Sequence, residues 1–347
     1  MKAKQLKGVN QGEYKREGEY IYFGTYPQSR VEDDTIVSAL NERAGGIPTI
    51  SNTQNWTLFK FFDDHKNNLG FMWYIDVEYS GEKYRGVYYI YVHFKTSESS
   101  THKAKGTFIP EIYSTDYQAI RIPENNRQND KGYKDSTVYW FKYEPIKWRI
   151  LNENGGEALI LSKRILDRQA YNQERKLTID ELPNCEDNYE YSDIRAWLND
   201  TFYNTAFNEL EKQLIVQRII SGASSIEHDD NDNKQDSENN DIDYANKQDY
   251  VFLLSEEDVT TSTYGFDKHN NSYDPMRIKE DTDYAKCLVD FRETDDAYTG
   301  NGFWWLRAYN YNNTIITRYV SDDGCVEFDL SVRADRGVAP AMKIRIE

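Results

Sequence analysis

From Phe71 to Phe94 the chain alternates apolar and polar residues, with Trp73, Ile75, Val77 and Tyr79 in phase and Ser80-Gly81-Glu82-Lys83 breaking the run. A period of two dictates extended strands, because successive side chains on a strand point to opposite faces. The break folds the run into a hairpin whose second arm is Tyr84 to Phe94. The apolar face of this hairpin is built largely from rings. The whole chain follows suit: 28 Tyr, 15 Phe and 7 Trp stand in 347 residues that are 38% hydrophobic, with a mean hydropathy of −0.85. Rings bury large areas each and can build a core where Leu and Val are scarce. Tyr, Thr, Asn, Asp and Gly in quantity favour strands and turns over long helices. The expectation is a loop-rich α+β chain, mostly β, forming one large domain or two ordinary ones.

Net charge is −17. A field of that sign repels phosphate backbones and anionic membrane surfaces, so nucleic acid and membrane are excluded as expected partners. No run approaches about 18 consecutive apolar residues, so no membrane span is expected. The polar start, Met1 to Glu19, carries no apolar stretch of the kind a secretory leader has. The compartment expected is cytoplasmic, or secreted if a leader was removed. Cys185, Cys287 and Cys325 lie far apart and make no CxxC pair, which favours isolated thiols over a zinc ribbon or a disulfide scaffold.

Along the chain, residues 1–18 read as a disordered lead-in and Tyr20 to Gln28 as a strand closed by a Pro turn. Asp34 to Arg43 reads as a short helix with an acidic start and Gly45-Gly46 past its end. Val138 to Tyr143 and Ile146 to Leu151 read as two strands, and Asn154-Gly155-Gly156-Glu157 as the turn into Ala158 to Ser162. A helix is expected from Ser192 through Phe202, with Ile194, Trp197, Leu198 and Phe202 on one stripe. A second is expected from Asn208 to Ile220, with Leu210, Leu214, Ile215 and Ile219 in phase. Val251 to Leu254 reads as a buried strand. Ser255 and Asp258 have the spacing of a capping box. Tyr284 to Asp290 reads as a short helix, and Phe303 to Ile346 as strands broken by Asn, Asp and Gly turns. Polar loops are expected at 96–105, 123–135 and 227–243.

Four segments occur in an order that resembles the bacterial DUF6273 family, a domain of unknown function. They are Ile21 to Gln28, Pro145 to Leu151, Ile194-Arg195-Ala196-Trp197-Leu198-Asn199 and Trp304-Trp305-Leu306-Arg307. Ala158 to Lys163, Val251 to Ser255 and Gly337-Val338-Ala339-Pro340-Ala341 extend the likeness. The ending is also similar to C-type-lectin-type folds, including the formylglycine-generating-enzyme-like group and the variable proteins of diversity-generating retroelements. This chain departs from them at Ala339, where an Arg is usual, and at Ala308-Tyr309, where Ser-Pro is frequent in the closer family. The resemblance implies a lectin-like domain of mixed sheets and two flanking helices over 19–30 and 138–347. A β-rich inserted lobe would then cover 31–137.

The resemblance implies a shape and not a reaction, so function must be read from residues. Asp229, Asn231 and Asn233 have the first three spacings of a calcium loop, but Lys234 and Asn240 stand where Gly and Glu are needed. No Gly-x-Ser-x-Gly and no HExxH occurs among residues that include His65, His93, His102, His228 and His269. No cofactor and no metal is expected. Between Tyr309 and Arg336, polar and ring residues flank a framework of Ile315, Val320, Val326 and Leu330. Such side chains make adaptable recognition surfaces, and equally an ordinary solvated strand face. The candidate binding residues are Trp305, Arg307, Tyr309, Tyr311, Asn312, Arg318, Tyr319, Asp323 and Arg333. In Trp304-Trp305 the two rings point to opposite faces, so one is a candidate stacking platform and both are candidate core. The expectation is a non-enzymatic module binding a protein or a glycan. A carboxylate-based hydrolase and an assembly component of a larger bacterial system are the alternatives.

Overall fold

The computed structural model describes residues 14–46, 55–63, 68–95, 118–121, 132–173, 178–179, 182–183, 189–219, 248–289, 300–307, 317–329 and 335–346. The expected loops at 96–105 and 227–243, most of that at 123–135, and Cys185 lie outside these residues. The chain divides into two compact units. One holds Met1–Tyr26, Glu144–Ala285 and Tyr298–Glu347; the other holds Pro27–Tyr143 and Lys286–Ala297.

The second unit is organised by the hairpin read from the alternation. Strands Asn68–Tyr79 and Glu82–Lys95 pair from Asn68↔His93 to Tyr79↔Glu82, and Thr57–Asp63 adds a third strand. Ser80 and Gly81 both take positive φ, 53° and 79°, the pairing a two-residue turn needs to match strand twist. Leu40, Trp56, Phe71, Trp73, Tyr84, Tyr88, Ile90 and Trp140 make one buried cluster, against which Ile75, Val77 and Tyr79 pack. The helix over it, Asp34–Arg43, starts where Asp33 accepts from the Thr35 and Ile36 amides. Trp140 donates its indole N–H to Asn41 at 2.8 Å, so a ring in the core remains hydrogen-bonded.

Besides two two-stranded pairings, Thr178–Ile179 with Leu182–Pro183 and Arg218–Ile219 with Gln248–Asp249, the first unit is organised by two larger sets of strands. The terminal strand Ala341–Arg345 pairs antiparallel with Glu157–Ser162, Ile215–Val216 and Val251–Phe252. The other sheet runs in the order Val326–Asp329, Thr317–Val320, Trp304–Trp305, Asp335–Val338, Asp167–Ala170. Its one parallel junction joins Trp304 to Gly337. The structure is therefore mostly β with a few short helices.

Three expectations change. Lys15–Glu17, expected as lead-in, forms a strand paired with Tyr20 to Tyr22. Val138–Asn154 is one strand and not two. Its residues 138–142 pair with 84–88 and its residues 148–154 with 157–162, and it also pairs with Tyr20–Arg30. The helix expected over 208–220 stops at Lys212, after Asn208 and Glu211 close a capping box. Ile215–Val216 then joins the terminal strand, and Leu210 is 48% exposed. Two of the four apolar residues at helical spacing, Ile215 and Ile219, are β-branched, and tertiary pairing overrode the local period.

Candidate binding surface

The surface is built on a hairpin made of Thr317–Val320 and Val326–Asp329. Its turn is tied by Ser321 N to Cys325 O at 2.9 Å and Gly324 N to Ser321 O at 3.0 Å. Asp323 sits inside the turn and accepts from the Ser321 hydroxyl at 2.6 Å and the Cys325 amide at 3.0 Å. The Ser321 hydroxyl, and then the Cys325 N–H, hold its carboxyl below the usual range.

A loop over 267–276 runs beside this hairpin. Asp274 organises it, accepting from the Asp267 amide at 2.9 Å, the Met276 amide at 2.8 Å and Arg277 Nε at 3.0 Å. Arg277 also donates to the His269 carbonyl at 2.7 Å. The loop meets the hairpin at two points. Val326 N donates to Asn270 O at 2.6 Å, and Gly324, at φ +85°, lies so close to the Asp274 backbone that a Cβ there would come within 2.3 Å of Asp274 O. Only glycine fits both demands.

This junction carries three large side chains in solvent: Tyr273 at 66% exposure, Met276 at 41% and Phe328 at 55%. Arg318, the cross-strand partner of Phe328, lies 5.9 Å from its ring centroid and 3.3 Å from Glu256. The other oxygen of Glu256 accepts from Asn270 at 2.8 Å, so one carboxylate links strand and loop. On the reverse face, Tyr319 stacks against the Arg336 guanidinium at 3.8 Å, with Phe303 and Trp305 each 5.4 Å from the same cation.

Of the residues expected to bind, Arg318, Tyr319 and Asp323 share this hairpin, on its outer face, reverse face and turn respectively. Tyr309, Tyr311, Asn312 and Arg333 lie outside the described residues. Trp304 and Trp305 are both fully buried, so neither ring is an exposed platform. Their strand lies between two others and both of its faces are covered, and Trp305 spends its N–H on the Gln169 carbonyl at 2.8 Å. Arg307 is engaged with Asp258 at 2.8 Å and with the Leu253 carbonyl at 2.8 Å. Tyr273, Met276 and Phe328 were missed. Phe328 is in phase with Val326 and reads as core, while Tyr273 and Met276 look like incidental rings and thioethers in a polar turn.

Among the described residues no three His, Cys, Asp or Glu side chains group as metal ligands. Glu211 is the described carboxylate held above its usual range, by burial, and it is committed to capping the Asn208 amide at 2.9 Å.

The family model of DUF6273, a domain of unknown function, matches residues 155–346, more than half of the chain. The chain belongs to the DUF6273 family. No curated protein and no solved structure matches it. The DUF6273 segments hold the framework together. Arg195 makes a two-pronged contact with Asp249, one arm at 2.9 Å, and donates to the Glu190 carbonyl at 3.0 Å. Asn199 accepts from the Tyr250 amide at 2.8 Å and donates to the Val251 carbonyl at 2.9 Å. That asparagine serves the edge of the short strand Val251–Phe252 that does not face Ala341–Arg345. Trp304 donates to the Arg277 carbonyl at 3.0 Å, and Arg307 pairs with Asp258. In this chain Arg195, Asn199, Trp304 and Arg307 are thus scaffold, and Tyr273, Met276 and Phe328 stand exposed.

Proposed function

We propose that the DUF6273 unit is a non-enzymatic binding module whose ligand is a protein, engaged through Tyr273, Met276 and Phe328. The observation that carries this is the exposure of three large apolar side chains around one rigid junction of loop and hairpin. Scattered single exposed apolar residues need no explanation, but a group on adjoining elements with a polar rim marks an interaction site. Phe and Met offer no hydrogen bond to a sugar hydroxyl, whereas Met and aromatic residues are enriched in protein interfaces. That favours protein over glycan. The likeness to lectin-type modules belongs to this reading. It is supported by a small mixed sheet with a parallel junction and short helices, and by a binding face set on its outer hairpin. An assembly role in a larger system would use the same surface, with a neighbouring subunit as the ligand.

The test is a peptide array and a glycan array probed with the full chain and with a Tyr273→Ser, Met276→Ser, Phe328→Ser variant whose fold is verified by circular dichroism. Peptide binding that the variant loses is expected. Binding confined to glycans, or equal binding by the variant, overturns the proposal.

A further inference from the structure

We infer that the outer hairpin strand, Val326–Asp329, takes up an extended basic peptide as an added strand. This inference rests on the protein-binding reading above and names the partner's chemistry. The hydrogen-bond phase of the hairpin carries it. Ser321 N bonds to Cys325 O, so 321 and 325 form a hydrogen-bonded pair. In an antiparallel ladder such pairs alternate with non-bonded ones. Val320–Val326 and Arg318–Phe328 are therefore the non-bonded pairs, and their backbone groups aim away from each other. Two contacts agree. Arg318 O faces inward and accepts from Leu306 N at 2.9 Å, and Val326 N faces outward and donates to Asn270 O at 2.6 Å. Phe328 is the next outward-facing residue. Its N–H and C=O, and the Val326 carbonyl, make no hydrogen bond among the described residues. Among the described residues the strand is the edge of its sheet.

An unpaired edge is a template for another chain, and natural edges are usually covered, charged or bulged against it. Here the loop 267–276 covers the beginning of the edge, and among the described residues nothing bonds to the backbone of Phe328, whose ring is 55% exposed. Backbone pairing would supply affinity, and the ring would select an apolar side chain at one position of the ligand. Charge decides which ligand. Glu327 and Asp329 flank Phe328, Asp322 and Asp323 lie in the turn, and Asp267 and Glu256 border the loop, against Arg318 and Lys268. The whole chain carries −17. A second copy is repelled by the same field that attracts Lys and Arg. The occupant is a peptide that alternates basic and apolar residues.

The probe is a fluorescein-labelled nonapeptide of alternating Lys and Val, titrated into the full chain and followed by anisotropy. Two analogues carry N-methyl groups on the alternate sets of residues, and a third replaces Lys by Glu. An added strand uses the N–H groups of one set only. One methylated analogue should therefore weaken by about tenfold or more while the other binds nearly as the parent. The Glu analogue and the Phe328→Ala chain should each lose at least as much. Equal binding by both methylated analogues overturns strand addition. So does the absence of Lys-Val binding to a chain that still captures array peptides, an outcome that leaves the protein-binding reading standing. Binding indifferent to Phe328→Ala removes both.

Discussion

Arg277 and Asp274 form an ion pair shut away from solvent, Nε to Oδ2 at 3.0 Å, with side chains 0% and 4% exposed. The carboxylate also accepts from two loop amides, Asp267 N at 2.9 Å and Met276 N at 2.8 Å. Removing one member of a buried pair leaves an uncompensated charge and typically costs about 3–5 kcal/mol. Asp274→Ala should lower stability by that amount in urea denaturation of the full chain. A loss under about 1 kcal/mol would show that the pair is solvated, and that the loop is not held as described.

Gly24 gives a second prediction. It takes φ +68°, and a Cβ there would lie 2.5 Å from the Phe207 ring and 2.9 Å from the Ala206 carbonyl. Gly24→Ala combines a left-handed backbone for a non-glycine residue with overpacking, and should cost about 2–4 kcal/mol. A melting temperature equal to that of the parent would contradict the close approach.

Lys279 gives a pH dependence. The side chain is buried, donates to the Ser162 carbonyl and lies 5.3 Å from the Trp304 ring. Burial, reinforced by the nearby Arg149 and Lys163 charges, holds its amine well below the ordinary lysine value. Between the folded and unfolded values the unfolded chain binds a proton that the folded chain refuses, so stability falls as pH drops through that window. Lys279→Met removes this loss. Its advantage over the parent should be least near pH ~10.4 and grow as pH is lowered, until the folded amine itself protonates. Denaturation curves measured across that range check it; parallel pH slopes for parent and variant would rule it out.

Surface and core substitutions should separate cleanly. Tyr273→Ser and Phe328→Ser remove exposed rings, so stability should change by no more than about 0.5 kcal/mol while array binding falls. Trp305→Ala, in contrast, empties a fully buried site and strips the Gln169 carbonyl of its donor, with an expected loss of about 3–5 kcal/mol. If Phe328→Ser proved as damaging to stability as Trp305→Ala, the exposed patch would be core and not surface.

What was legible in the sequence was local. The hairpin around Ser80-Gly81, the helix Asp34–Arg43 and the Ser255–Asp258 capping box each depend on residues a few positions apart, and each was found. The segment after Asn208 failed because Leu210, Leu214, Ile215 and Ile219 satisfy a helical period, while the deciding partner, Ile344, is more than a hundred residues away. The same limit hid the candidate site. Phe328 has the alternation of a core residue, and nothing nearby in sequence says that its strand is an edge among the described residues or that residues 267–276 cover the beginning of that edge. The choice of Trp305 failed in the opposite sense: strand alternation separates the two Trp rings, but it cannot say that both sides are filled.

The strand Tyr20–Arg30 has a practical consequence for cloning. Trp148 gives its indole proton to the Phe23 carbonyl at 2.7 Å, Phe23 stacks on Phe207 at 5.3 Å, and the Tyr26 hydroxyl donates to Asp167 at 2.6 Å. All these anchors lie upstream of the family match or reach across its boundary at residue 155. A gene trimmed to the matched span would yield a polypeptide with raw aromatic surface and an Asp167 carboxylate lacking its Tyr26 donor. A usable fragment must carry residues 14–26 and 144–154, fused through a bridging linker or supplied as a second chain.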